Sequence, residues 1–194
     1  VYDDKRDYLR GFGYQGGAHR GRGADVAEFT IGEELKAAMS VPQENWGINI
    51  TAFGEILPYH ENKISLSKTK KDKWGLPVLD MDVEMKENEK KMRIDMMNDA
   101  AEMLTAAGVK NVSTYDAGYY PGMGIHEMGT ARMGRDPKTS VLNGNNQVWD
   151  APNVFVTDGA FMTSGSCVNP SLTYMAFTAR AAAFAVEELK KQNL

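Results

Sequence analysis

The sequence holds one cysteine, Cys167, among 194 residues. A single thiol excludes an internal disulfide framework and any multi-thiolate metal site, and it leaves the redox compartment open. No apolar run approaches the roughly 18–20 residues that a membrane span needs, and no basic-then-apolar leader opens the chain. Positive charge is not in excess either. Lys and Arg number 22 against 26 Asp and Glu, a formal charge of −4, which disfavours nucleic acid as a partner because phosphate neutralisation needs a basic surface. An initiator methionine is also missing: the chain opens Val1-Tyr2-Asp3-Asp4-Lys5, and the expectation is a piece of something longer. What is present is ordinary, with 42% hydrophobic and 25% charged residues. That composition supports a folded core, in a length within the usual range of about 100–200 residues for one domain.

Six glycines and two arginines interleave from Gly11 to Gly23. No apolar strand precedes them and no Gly-Lys-Ser/Thr follows, so neither dinucleotide nor Walker spacing is met. A strand with bulges or a surface loop is the expectation. Phe29, Ile31, Leu35, Ala38 and Met39 suggest a short helix over residues 26–39, stopped near Pro42. Runs Trp46 to Leu57 and Lys63 to Ser67 read as a hairpin, and the four lysines from Lys68 to Lys73 as a solvated turn. Leu79, Met81, Val83 and Met85 alternate with acids, giving a third antiparallel strand. Asn88 is placed to cap a helix that ends at Gly108, with Met92, Met96, Ala100, Met103, Leu104 and Ala107 on one face. Those thioethers are better read as core filling than as a ligand set. Val112 to Ala117 reads as a fourth strand. The apolar run Val154-Phe155-Val156 looks like a strand buried on both faces, with its partners elsewhere. Asn169 as cap and Pro170 at the first helical position open a last helix, whose scattered alanines predict a buried middle.

Proton transfer near neutral pH points to histidine. His19 and His60 sit in polar surroundings and read as surface or structural residues. His126 stands in Gly122-Met123-Gly124-Ile125-His126-Glu127-Met128-Gly129-Thr130-Ala131-Arg132-Met133-Gly134, where four glycines permit backbone to approach a flat ligand. A metal centre on His126 and Glu127 lacks a second histidine at helical spacing. A Cys167–His126 nucleophile pair lacks a cation to activate the thiol. For Arg132, a structural ion pair is the default.

His126-Glu127-Met128-Gly129-Thr130-Ala131-Arg132-Met133-Gly134, Val156-Thr157-Asp158-Gly159-Ala160 and Asn169-Pro170-Ser171-Leu172-Thr173, in that order and spacing, resemble the C-terminal region of the glucose-methanol-choline flavoprotein oxidoreductases. Asp136-Pro137-Lys138-Thr139-Ser140-Val141-Leu142-Asn143 is most similar to the bacterial sugar and gluconate dehydrogenase branch. The resemblance implies an α+β chain. Residues 1–125 would form a substrate-binding domain of antiparallel sheet and packed helices. Residues 126–194 would carry the active-site His and Asn, with a strand and helix that complete an FAD-binding α/β domain whose N-terminal part is missing.

It implies that His126 takes the hydroxyl proton of an alcohol or sugar substrate while hydride passes to flavin, and that Asn169 holds the substrate oxygen without acting as a base. Asp158, Gly159 and Ala160 would lie along the pyrophosphate and ribityl chain of FAD, the glycine easing that approach. The helix from Pro170, with Ser171, Leu172 and Thr173, would face the flavin N1–C2=O region. A small subunit, a cytochrome and a periplasmic location accompany some members of that branch. The alternative is a non-catalytic module docking on a separate flavin-binding chain. The glycine-rich motif that grips the ADP half of FAD is absent from these residues. The chain on its own is therefore predicted to bind FAD weakly or not at all and to turn over no substrate; a stoichiometric flavin absorbance spectrum after its purification would overturn this.

Overall fold

The computed structural model describes residues 5–20, 31–40 and 46–194. The first residues of the helix expected over 26–39, the stop at Pro42 and the end of the glycine run at Gly21 to Gly23 lie outside the described residues. The fold is α+β, and the described residues form three two-stranded antiparallel sheets and three α-helices. In chain order these are β1 (Phe12–Arg20), α1 (Gly32–Ser40), β2 (Trp46–Gly54), β3 (Lys63–Lys71), β4 (Pro77–Asp82), α2 (Glu87–Ala106), β5 (Gln147–Val148), β6 (Ala151–Phe155) and α3 (Ser171–Lys190).

The first part of the glycine run is strand β1, paired with β2 in unbroken register from Phe12 opposite Gly54 to Arg20 opposite Trp46. The hairpin expected between residues 46–57 and 63–67 is therefore replaced: β2 turns back to β1, and β3 pairs with β4. β3 also runs on through Lys71, so most of the expected basic turn is strand; its register against β4 shifts between Leu66 and Lys71. Either pairing satisfies the alternation of apolar and polar residues. The pairing that occurs is the one that lets β2 lie against α2.

The contact there is close. A methyl group on Gly54 would fall 2.1 Å from Met96 Cε and 2.7 Å from Met92 Sδ, so the thioethers as placed use the space that glycine leaves. Met92 and Met96 are buried with Phe12 in a small cluster that Tyr8, Tyr14 and Ala52 pack against. The Tyr14 hydroxyl donates to the Met96 carbonyl at 2.6 Å, and burial pushes its pKa up to about 12. Arg6 closes the other side with ion pairs to Asp95 and Asp99 at 2.6 and 2.7 Å.

Helix α2 begins one residue before Asn88, with Lys86 at the cap position. Asn88 instead pairs with the backbone of Leu9, accepting its N–H at 2.7 Å and donating to its carbonyl at 3.2 Å. Glu89 takes over the capping: buried, it accepts from the Lys86 N–H at 3.0 Å, the Leu57 N–H at 3.1 Å and the Tyr59 hydroxyl at 3.1 Å. Gly108, with φ +85°, follows the helix as expected. The fourth strand expected at Val112 to Ala117 does not form. That segment is held instead by Asp116, which accepts the Gly118 N–H at 2.8 Å and pairs with Arg93. The Gly118 N–H and then the Arg93 guanidinium keep the Asp116 carboxyl below the usual range.

In the last third, β6 finds its partner locally, in β5. Val154 is 43% exposed within this chain, and β5 is one partner of the strand expected to be buried on both faces. Phe155 meets Phe184 of α3 with ring centroids 6.3 Å apart. Asn146, fully buried, donates to the Val156 carbonyl at 3.0 Å and accepts from Arg180 of α3 at 3.3 Å. The middle of α3 is not buried as its alanines suggested: Ala181 alone is, and Leu172, Met175, Val186 and Leu189 are exposed.

That exposure is general. The chain presents 14597 Å² of accessible surface, against about 9,100 Å² for an independent monomer of this size. No helix among the described residues is long and apolar enough to cross a membrane.

Glu89→Ala would remove the acceptor of four donors, of which the Asn88 amide keeps the Leu9 carbonyl and three keep none, at about 1–3 kcal/mol for each one that stays dry. A loss near 3 kcal/mol is expected, read as a lower urea midpoint, with Glu89→Gln losing less because one acceptor oxygen remains. An unchanged midpoint in Glu89→Ala would show that water replaces the carboxylate.

Candidate functional site

The segment carrying His126 is laid along the turn Asp158–Phe161 by backbone hydrogen bonds. Ala131 N–H donates to the Ala160 carbonyl at 3.0 Å, and Met133 N–H to the Phe161 carbonyl at 2.9 Å. The turn Gly159–Phe161 is a single 3₁₀ turn whose cap is Asp158; the Asp158 carboxylate accepts the Ala160 N–H at 2.9 Å. Phe161 is buried and stacks on Phe177 of α3 at 4.7 Å, with Tyr174 edge-on at 6.3 Å. Two of the three sequence blocks, and the helix that the third begins, therefore meet on one side of the molecule.

Gly159 is buried at the centre of this meeting. A methyl group placed on it would lie 2.7 Å from the Tyr174 hydroxyl, 2.9 Å from the Glu127 carbonyl oxygen and 3.0 Å from Met128 Sδ. The space that its missing side chain opens is filled by the protein itself. Packing within the chain by itself requires glycine at position 159. Gly129, with φ +90°, takes the left-handed conformation that glycine favours.

His126 is half-buried, and the Glu127 side chain closes the turn before it by accepting the Gly124 N–H at 2.9 Å. Ile125 next to it has φ +57° and is 86% exposed. A β-branched residue in that region is strained, and the strain sits one residue from the candidate base. Asn169 is exposed and stands before the cap: α3 begins at Ser171 with Pro170 at the cap position and no side-chain cap. The expected arrangement is thus shifted by one residue, and the Asn169 amide is left unengaged by capping. Ser171 and Leu172 are exposed, and Thr173 is half-buried.

The rival constellations find other employment. Cys167 Sγ lies against β1, 3.2 Å from where a methyl on Gly13 would be. His19 stacks beside Gly47, and His60 lies in an exposed turn. Arg132 donates to the Thr139 carbonyl at 2.6 Å in place of the expected ion pair. The sequence reading does not single out Met128 or Tyr174. Met128 is half-buried, and Tyr174 O–H donates to its sulfur at 3.6 Å. The only sequence signal for this contact is the glycine at 159, whose need for space becomes visible once the neighbours are known.

A family model described as GMC oxidoreductase matches residues 58–178. The chain is 36% identical over 190 residues to a 2-methyl-1,2-propanediol dehydrogenase of Mycolicibacterium austroafricanum, covering 92% of this chain and 33% of that protein. It is 32% identical over 155 residues to a gluconate 2-dehydrogenase flavoprotein of Pantoea cypripedii, covering 76% and 25%. Over 145 residues it is 30% identical to a fructose dehydrogenase large subunit of Gluconobacter japonicus, covering 75% and 26%. The chain spans a quarter to a third of the length of these relatives.

Burial first, then the charges of Asp158 and Glu127, raise the Tyr174 pKa above its ordinary value. The folded state then holds this proton more tightly than the unfolded one. Its contribution to stability is whole below about pH 10 and is lost as pH rises through the raised folded value. Urea midpoints of the parent and Tyr174→Phe, compared between roughly pH 9 and 11, should show the parent losing ground to the variant. Parallel curves would contradict the assignment.

Proposed function

Since the chain belongs to the GMC oxidoreductase family, we propose that it is the catalytic and substrate-binding C-terminal portion of an FAD-dependent enzyme that oxidises a CH–OH group of an alcohol or sugar. The observation that carries this reading is the junction of the His126 segment, the Asp158–Phe161 turn and the first turn of α3. The large accessible surface supports it too, because a chain with so much uncovered apolar area is suited to lie against the rest of a larger enzyme.

The residues present fit a flavin. The first N–H groups of α3 have no side-chain cap, so they form a donor set of partial positive charge for carbonyl or phosphate oxygens. Exposed Leu172, Val168 and Ile125 offer apolar surface to a flat ring. Ser171, Leu172 and Thr173 would hold the ring system from the helix, and Asp158, Gly159 and Ala160 would follow the chain that joins it to the nucleotide. When bound, the flavin supplies the hydride acceptor that the protein lacks.

The protein's part is to move a proton and to hold an oxygen. His126 accepts the hydroxyl proton of the substrate, which raises the tendency of the adjoining carbon to lose hydride; the C–O single bond becomes a carbonyl. Asn169 donates its amide N–H to the same oxygen and fixes its position, having no basic lone pair with which to compete for the proton. An unoccupied Asn169 amide, not engaged in capping α3, is consistent with that duty.

Removing the base should cost the proton-transfer part of the rate, about 10²–10⁴-fold. In the full-length, flavin-loaded enzyme, His126→Ala should keep its bound flavin and lose reduction of it by a panel of 2-methyl-1,2-propanediol, gluconate and fructose, measured by stopped-flow absorbance. Reduction at the parent rate would remove His126 from the mechanism. A parent enzyme that no member of the panel reduces would count against the CH–OH reading.

A further inference from the structure

His126 is anchored from one side. Downstream, the backbone bonds of Ala131 and Met133 fix the chain to the Asp158–Phe161 turn. Upstream, residues 122–125 are exposed, held by Met123 N–H to the Tyr120 carbonyl at 3.3 Å and Gly124 N–H to the Glu127 carboxylate at 2.9 Å. Between these lies Met128, two residues beyond the histidine, with its side chain turned into the protein.

The surroundings of that side chain are built from absences. A methyl on Gly159 would stand 3.0 Å from Met128 Sδ, and one on Gly165 would stand 3.5 Å from both its Cγ and its Cε. The Tyr174 hydroxyl closes the third side, 3.6 Å from Sδ. The same two glycines also face the two consecutive carbonyls that follow the histidine's α-carbon. The Glu127 carbonyl oxygen would be 2.9 Å from a methyl on Gly159, and the His126 carbonyl oxygen 3.9 Å from one on Gly165. A thioether seated so, beside a Glu127 carbonyl that packs into the space of the missing Gly159 side chain, sets where the preceding two residues lie.

The geometry points to Met128 as a positioning residue for the base: a peg whose socket of Gly159, Gly165 and Tyr174 fixes the His126 backbone against the flavin-facing turn. This inference rests on the reading of His126 as the proton acceptor. Met128 touches neither substrate nor flavin in this scheme and acts through His126. Misplacement of a reacting group by about 1 Å costs up to roughly 100-fold in rate, which is the scale of effect expected when the peg is removed.

In the full-length, flavin-loaded enzyme, Met128→Ala should keep a full complement of flavin and a half-saturating substrate concentration within about twofold of the parent, since ground-state binding is untouched. Its limiting rate of flavin reduction by the substrate panel should fall roughly 10- to 100-fold. Met128→Leu, which restores the volume, should recover most of that rate, a rescue that loss of general stability would not give. Tyr174→Phe, which opens the socket without emptying it, should show the same split in smaller degree, and it serves if Met128→Ala does not accumulate.

Parent-like reduction in Met128→Ala or in the substitute Tyr174→Phe, with His126→Ala inactive, overturns the positioning role and leaves the proposed function standing. Loss of flavin in every socket variant also overturns it, because the peg would then hold the fold and not the histidine. Full activity in His126→Ala defeats both.

Discussion

Steric exclusion at Gly159 is the constraint on which the functional half of this chain depends. Three segments far apart in sequence converge on one hydrogen atom: the strand-like stretch after His126, the 3₁₀ turn itself and the first turns of α3. Glycine is required there because backbone oxygen and two side chains already occupy the volume of a β-carbon. The energetic logic is that of a packed core, where an extra methyl forces displacement at typically 1–3 kcal/mol. Here the displaced group would be the peptide joined to the candidate base, so packing precision and chemical precision coincide at one residue.

Elsewhere the packing is sparse. The cluster of Phe12, Met92 and Met96 is small, and the apolar residues of β3, β4 and α3 are largely exposed. Stability in the first half therefore leans on polar hubs. Glu89 ties the start of α2 to the chain around Leu57 and Tyr59, while Arg6 ties residues near the N-terminus to Asp95 and Asp99. In the second half Asn146 does the same for the β5–β6 hairpin and α3. Each hub joins segments that few apolar contacts hold, so removing one exposes donors and acceptors as well as breaking a contact.

Local features were legible in the sequence and partner choice was not. The periodicity of α2 located Met92 and Met96 on its buried face, although Met103 and Ala107 of the same expected face are exposed; Gly108 marked its end, and Asn169-Pro170 marked the start of α3 to within one residue. The strand segments of β2, β3 and β4 were also visible, because alternation is a property of the strand alone. Which strands pair is not a property of one strand: β2 pairs with β1, and its end at Gly54 meets α2. Asn88 looked like a cap because its type favours caps, yet Leu9, far away in sequence, takes its side chain. The expected strand at Val112 to Ala117 had the composition but no partner, and Asp116 offered the backbone a turn instead. At the site, the motifs indicated His126, Asn169 and Gly159, while the packing that requires the glycine and seats Met128 lay in contacts between blocks.

The two-stranded sheets have a further consequence, for how the chain behaves among its own copies. A strand with one neighbour offers a row of unpaired amides and carbonyls along its other side, a template for intermolecular addition. β3 carries Lys63, Lys68, Lys70 and Lys71, and like charges oppose the approach of a second β3. β2, reading Trp-Gly-Ile-Asn-Ile-Thr-Ala-Phe-Gly, has no charge and no proline, the composition that favours cross-β stacking. Self-association of this chain in solution would then nucleate along Trp46–Gly54, and a lysine introduced at Thr51, an exposed position of that strand, is the natural gatekeeper against fibrils.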